Sequence, residues 1–120
     1  EIDKAYEESV RKSFVDPLYK TSISFLAYVE NNVVGRIDAS LIPSHFDGSI
    51  KAYLDWICVL KSYRHNGVAQ ALMEHLRKVL KEQYNVSILI GLIASNKDAQ
   101  SFYRNLHNSL IRDEGIWIDL

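Results

Sequence analysis

The stretch Leu60–Leu72, LKSYRHNGVAQAL, lies between two different periodicities. An apolar run, Ala52–Leu60 (AYLDWICVL), enters it and fits a central strand covered on both faces. A helical pattern leaves it: Val68, Leu72, Leu76, Val79, Leu80 and Gln83 trace one face, with Ala69 and Met73 alongside. A buried strand therefore runs into a short loop, and the loop opens a helix at Gly67. The first turn of a helix has unpaired N–H groups and the positive end of the dipole, so it can hold a phosphate. Gly67 and Ala69 are small enough for a diphosphate to approach the backbone. No lysine-serine pair follows Gly67, and the spacing is not G-x-G-x-x-G, so this is neither a nucleotide P-loop nor a dinucleotide fingerprint. On its residues alone the stretch is either an anion site or simply a tight strand-to-helix turn.

Working outward, Ile2, Tyr6, Val10 and Phe14 recur every four residues with Ala5 beside them, which predicts a helix that stops before Pro17. Thr21–Glu30 and Val33–Ile42 are rich in β-branched and aromatic types and read as a hairpin turning at Asn31-Asn32, because Asn tolerates positive φ. Pro43–Ser49 reads as a loop, and Val86–Ala94 as a second fully buried strand. Asn96 starts a shorter helix with Ala99, Phe102, Tyr103 and Leu106 on its inner face, and Gly115–Leu120 (GIWIDL) reads as a last strand. The order α-β-β-β-α-β-α-β predicts an α/β or α+β sheet with helices packed on it.

The 120 residues, with two prolines, five glycines and no repeat or linker, predict a single domain over 1–120. Lys+Arg of 14 against Asp+Glu of 15 gives a net charge of −1, which argues against a partner bound by bulk electrostatics such as nucleic acid. The lone Cys58 cannot form an internal disulfide, so a reducing, cytoplasmic compartment is expected. No apolar run reaches the ~18 residues of a membrane span, and no membrane partner is expected. No His, Cys and Asp set has metal-ligand spacing, so no metal is expected.

Arg64-His65-Asn66-Gly67-Val68-Ala69 resembles the (Q/R)-x-x-G-x-(G/A) signature of the GNAT N-acetyltransferase superfamily. The context agrees on both sides: Leu54–Val59 resembles the family's fourth strand, Gly35 lies on the hairpin's second strand, and Asn96 with Ala99-Gln100-Ser101-Phe102-Tyr103 resembles N-x-x-A-x-x-F-Y. The resemblance covers Phe25 to Leu106. It implies the GNAT acyl-CoA N-acyltransferase fold, a mixed and mostly antiparallel sheet flanked by helices. It also implies acetyl-CoA as cosubstrate, lying where the family's fourth and fifth strands splay apart.

Carried onto this chain, the resemblance has Ile57, Cys58 and Val59 lining the pantetheine arm and Arg64, His65, Asn66, Gly67, Val68 and Ala69 wrapping the pyrophosphate. It has Asn96 contacting the cofactor arm and Tyr103 placing its hydroxyl near the thioester sulfur, with the acceptor amine attacking the acetyl carbonyl directly and backbone donors holding the oxyanion. Asp55 matches a position where the family often carries an acid that takes the amine proton or holds a cationic substrate. From the residues alone, Asp55 is the only acid in an apolar strand. A buried unpaired carboxylate is costly, so the competing reading is a structural pair with Lys51 or Arg36. Asn96 is also a natural N-cap, Tyr103 a natural core residue, and Cys58, alternating with Leu54, Trp56 and Leu60, a core filler.

Two features depart from the family pattern. The strand and helix that usually precede the 2–14 helix are missing, so the chain is expected to be N-terminally incomplete. The usual Gly-Phe and final hairpin after Phe102-Tyr103 are missing too, which leaves an apolar edge at Ile116, Trp117 and Ile118, and a homodimer is expected through this strand or through the neighbourhood of the family's fourth and fifth strands. The expected function is acetyl transfer to a primary amine, on a small molecule or a peptide. The alternatives are a non-catalytic acyl-CoA-binding regulatory module and a toxin acetylating aminoacyl-tRNA; the last would need a basic acceptor face.

Overall fold

The computed structural model describes residues 3–93, 95–112 and 115–120. Residues 1–90 form one compact unit and residues 91–120 a second. Helix α1 spans Lys4–Ser13 and is capped by Asp3, whose carboxylate accepts from the Ala5 N–H at 2.9 Å. The expected start of its apolar face, Ile2, lies outside the described residues. Pro17 opens a short 3-10 turn, Pro17–Tyr19, so the helix ends where the sequence indicates.

Strands β1 (Ser22–Val29), β2 (Asn32–Pro43) and β3 (Ile50–Val59) form an antiparallel meander, and β4 (Ile88–Gly91) adjoins β3 in the order β1-β2-β3-β4. The hairpin turns one residue earlier than expected: Glu30 (φ 50°) and Asn31 (φ 71°) are its two loop residues, and Asn32 already pairs with Val29. Both loop residues have positive φ, which is the type I′ condition matched to strand twist.

Helix α2, Val68–Tyr84, crosses β1, β2 and β3 and buries Leu72, Met73, Leu76, Val79 and Leu80. Opposite them lie Val34, Ile37, Ala39, Ala52, Leu54 and Val59, which with the helix residues make the core. Gln83, expected on this face, is exposed, because the amphipathic stripe runs out at the last turn. Asn85 (φ 53°) ends the helix in a left-handed cap. His75 remains exposed, yet its ring meets Phe25 of β1 edge-on at 4.5 Å.

Two bulges shape the sheet. Ala27 pairs with Gly35 and Tyr28 with Val33, so Val34 is the extra residue on β2. Asp38 pairs with Trp56 and Ala39 with Leu54, so Asp55 is the extra residue on β3. The second bulge corrects two expectations. β3 does not alternate with one period: Ala52 and Leu54 face α2 before the bulge, Ile57 and Val59 after it. Cys58 therefore lies opposite Arg36 on the other face, half-buried rather than in the core. That other face is not fully covered, since Trp56 is 47% exposed.

In the second unit, α3 spans Lys97–Arg104. The strand expected as fully buried over Val86–Ala94 is only Ile88–Gly91, most of it in the first unit, and Ile88 and Ile90 are 46% and 43% exposed; its expected last residue, Ala94, lies outside the described residues. The expected strand Gly115–Leu120 is irregular backbone. Its alternating apolar residues find no strand partner among the described residues, and pairing rather than propensity makes a strand.

α2 approaches the sheet closely at Gly35. A β-carbon there would stand 3.1 Å from Leu72 Cδ1 and Val68 Cγ1, and 3.2 Å from the Cys58 carbonyl oxygen. Gly35→Ala is expected to destabilise the protein by about 1–3 kcal/mol in urea unfolding, as an overpacked contact does.

Candidate active site

The end of β3 and the start of α2 present a continuous backbone surface. The Leu60 N–H donates to Val34 O at 2.8 Å, so residues 58 and 60 aim their backbone groups at β2. By strand alternation, Ile57 and Val59 aim theirs the other way. On that side β4 has only four residues against the ten of β3. The Ser87 N–H meets Ile50 O at 3.3 Å, which aligns the starts of the two strands, so β3 runs on past β4. The Val59 carbonyl accepts from Arg64 Nε at 3.1 Å, tying the loop to the strand end.

The loop itself is a 3-10 turn, Lys61–Tyr63, followed by two residues of positive φ, His65 (64°) and Gly67 (83°). Asn66 Nδ2 donates to Arg64 O at 3.1 Å. Gly67 is the N-cap of α2 and supplies no side-chain cap; the first helical bond runs from Ala71 N–H to Gly67 O at 3.0 Å. The N–H groups of Val68, Ala69 and Gln70 precede that bond and point out of the helix end. A β-carbon on Gly67 would meet nothing within 4 Å, so the backbone is uncrowded at the residue that opens the helix. A phosphate fits there on charge and on room. His65 is exposed beside it.

Asp55 is not the buried carboxylate that the sequence suggests. The bulge turns it outward, where it is exposed and Oδ2 accepts from Ser40 Oγ at 2.8 Å. Neither expected ion-pair partner takes it: Arg36 Nε meets Asp38 Oδ1 at 2.9 Å, and Lys51 meets Asp47 Oδ2 at 3.5 Å. Asp47, exposed, is held below its ordinary value by hydrogen bonds from Ser49, with Lys51 adding to the effect.

Asp55 lines a pocket of about 680 Å³ on the sheet face opposite α2. Arg36 and Asp38 line it with Asp55, and the segment after α1, including Phe14 and Tyr19, forms the far wall. Asp38 also accepts from Trp56 Nε1, and the Arg36 guanidinium lies 5.7 Å from the Phe14 ring centre. The sequence does not single out Arg36 and Asp38 as pocket residues. The signal was present: Arg36 and Asp38 are charged residues two apart in an apolar strand, hence on one face.

In the second unit, Asn96 caps α3, its Oδ1 accepting from the Ala99 N–H at 2.8 Å. Tyr103 is half-buried and meets Phe102 edge-on at 5.3 Å. Burial pushes the Tyr103 phenol above its ordinary value, so it stays protonated throughout the neutral range.

An antiparallel meander, a crossing helix with an open N-terminus and a strand that outruns its neighbour define an acyltransferase-type α+β fold. The chain belongs to the acetyltransferase (GNAT) family, whose model matches residues 2–107. It is 33% identical over 105 residues to streptothricin acetyltransferase A of Bacillus subtilis, covering 87% of this chain and 57% of that protein. It is 31% identical over 105 residues to an N-alpha-acetyltransferase of Saccharolobus solfataricus, covering 78% of this chain and 61% of that protein. The chain thus spans about three fifths of the length of these curated relatives. In fold it is similar to the aminoglycoside acetyltransferase AAC(6')-Iy in complex with a CoA bisubstrate analogue, with a TM-score of 0.78 at 20% identity, covering 99% of this chain and 80% of that one. Among the described residues no helix is long and apolar enough to cross a membrane.

Gly67 holds φ at +83° with open space around it, so a substitution there strains the backbone without a clash. Gly67→Ala is expected to cost about 1–2 kcal/mol in thermal or denaturant unfolding.

Proposed function

We propose that this chain is an N-acetyltransferase that moves an acetyl group from acetyl-CoA to a primary amine by direct attack. The observation that carries this reading is the open first turn of α2 beside the outward backbone of Ile57 and Val59. Acetyl-CoA supplies an activated acetyl thioester, and the chain's own groups do the rest. The N–H groups of Val68 and Ala69, in the loop built by Arg64, His65, Asn66 and Gly67, hold the pyrophosphate. Ile57, Cys58 and Val59 line the pantetheine arm, the outward amides of Ile57 and Val59 and the Ile57 carbonyl pairing with it as a strand would. The Asn96 side chain, with Oδ1 engaged in its cap, has its amide N–H₂ to offer the arm.

The acceptor ammonium must lose a proton before it attacks, and the departing thiolate must gain one. Asp55, with Oδ2 held by Ser40, accepts the first directly or through water. Tyr103, kept protonated by burial, donates the second. The reading places the protein in the cytoplasm. It includes a homodimer, since Ile116, Trp117 and Ile118 are 83%, 74% and 71% exposed and a partner chain would cover them. Light scattering at tens of micromolar is expected to report twice the chain mass.

CoA at a hundredfold excess over its Kd should stabilise the protein by about 2.7 kcal/mol, seen as a raised Tm. Tyr103→Phe should lower turnover on the order of 10²- to 10⁴-fold with CoA affinity nearly unchanged. Asp55→Asn should lower it most at low pH, where free amine is scarce. Stabilisation by CoA without amine-dependent thiol release, across a broad acceptor panel, would instead identify a regulatory acyl-CoA-binding module.

A further inference from the structure

The carboxylates that line the pocket, Asp16, Asp38 and Asp55, are held in different ways. Both oxygens of Asp38 are taken, Oδ1 by Arg36 Nε and Oδ2 by Trp56 Nε1. Asp16 stands on the far wall and caps the turn at Pro17, its Oδ1 accepting from the Leu18 N–H at 2.9 Å. Asp55 is on β3 itself, just ahead of Trp56 and Ile57. Ser40 Oγ donates to its Oδ2 at 2.8 Å, and Oδ1 has no hydrogen-bond partner among the described residues.

As the bulge residue, Asp55 has no residue opposite it on β2, so the strand ladder does not fix where its side chain points. Ser40 is the opposite case. It is half-buried inside β2, paired with Ser22 of β1 on one side and Tyr53 of β3 on the other. A hydroxyl on the central, doubly paired strand therefore sets the direction of a carboxylate on the irregular one. That hydroxyl is neutral. The cations that could have held Asp55 are engaged elsewhere, Arg36 with Asp38 and Lys51 with Asp47. A cation in the place of Ser40 would repel an approaching ammonium, and a hydroxyl does not. A hydroxyl also donates only one proton, so it takes one carboxylate oxygen and leaves the other.

Resting on the acetyltransferase reading above, we propose that Ser40 is a positioning residue for the reaction: its hydroxyl fixes the Asp55 carboxylate by Oδ2, and Oδ1 is the oxygen that takes the proton of the acceptor ammonium. The proton passes from the ammonium nitrogen to Oδ1, the nitrogen lone pair so freed attacks the acetyl carbonyl, and the Ser40 O–H stays on Oδ2 throughout. Ser40 touches no reacting atom and acts only through Asp55. Such a role has leverage because a misplacement of about 1 Å costs on the order of 10²-fold in rate.

The test measures CoA-thiol release by the full-length protein with hexylamine, glycinamide, lysine and spermidine, and carries forward the acceptor that the wild type turns over fastest. Ser40→Thr and Ser40→Val match in shape and differ by the hydroxyl. Ser40→Val and Ser40→Ala should lower kcat by about tenfold or more, the scale of one hydrogen bond to a charged group, while Ser40→Thr stays within about threefold of wild type. In an Asp55→Asn background the Ser40→Val change should cost less than about twofold, because residues that act as one unit do not add. The rise of Tm on adding CoA should be the same in every variant, which reports an intact fold and donor site. Wild-type kcat in Ser40→Val alongside a loss in Asp55→Asn overturns the proposal and leaves the Asp55 role standing. A Ser40→Val loss that is equally large in the Asp55→Asn background, or a Ser40→Thr loss as deep as that of Ser40→Val, marks Ser40 as structural and overturns it too. Wild-type kcat in Asp55→Asn, or no release from any of the four acceptors, removes the Asp55 role and this inference together.

Discussion

Asp55 has no partner residue across the sheet. Asp38 pairs with Trp56 and Ala39 with Leu54, so β3 spends one residue more than β2 over the same distance. Much of the molecule follows from that extra residue. Without it, a strand of period two would bury either Ala52 and Leu54 or Ile57 and Val59 against α2, but not both pairs. With it, the core stays apolar along the whole of β3, and the carboxylate is turned out onto the face away from the helix. A single backbone irregularity reconciles a continuous hydrophobic core with a polar pocket on the other side of the same strand.

The other face of that constraint is the fit between Gly35 and α2. The helix lies so close to β2 that a methyl group at residue 35 would press on Val68, Leu72 and the Cys58 carbonyl at once. Val68 is the first residue of α2, so this contact also sets where the helix begins relative to the end of β3. The Arg64 bond to the Val59 carbonyl fixes the same relation from the loop side. The open N–H groups of α2 and the outward backbone of Ile57 and Val59 are held in register by packing and by one side-chain hydrogen bond. Backbone spacing of this kind tolerates variation in side chains, and a solved acetyltransferase shares the fold with this chain at 20% identity.

Charge on the opposite sheet face is organised by neighbours on one strand. Arg36 and Asp38 are two residues apart and touch; Ser40 is two further on and holds Asp55. Trp56 closes the set on Asp38. Side chains this constrained present fixed donors and acceptors to a ligand, which lowers the ordering cost of binding. The segment after α1 completes the pocket, with Phe14 against the Arg36 guanidinium.

Most of the elements and the strand-to-helix loop are legible in local sequence. The 3.6-residue stripe of α2, the apolar run of β3, the Pro17 stop and the glycine at residue 67 are local signals, and each acts within a few residues of itself. The family signature at Arg64–Ala69 is of the same kind, because a helix N-terminus binds an anion through its own backbone. The rest depends on contacts between elements far apart in the chain. The bulge depends on how β2 and β3 share one helix, so Asp55 read as buried and Cys58 as core until the register was known. The partners of Asp55 and Arg36 were not the ones the sequence offered, since proximity across a sheet is set by pairing rather than by charge. The tail at Gly115–Leu120 has the composition of a strand and is irregular, because strand formation needs an edge to pair with and no local pattern supplies one.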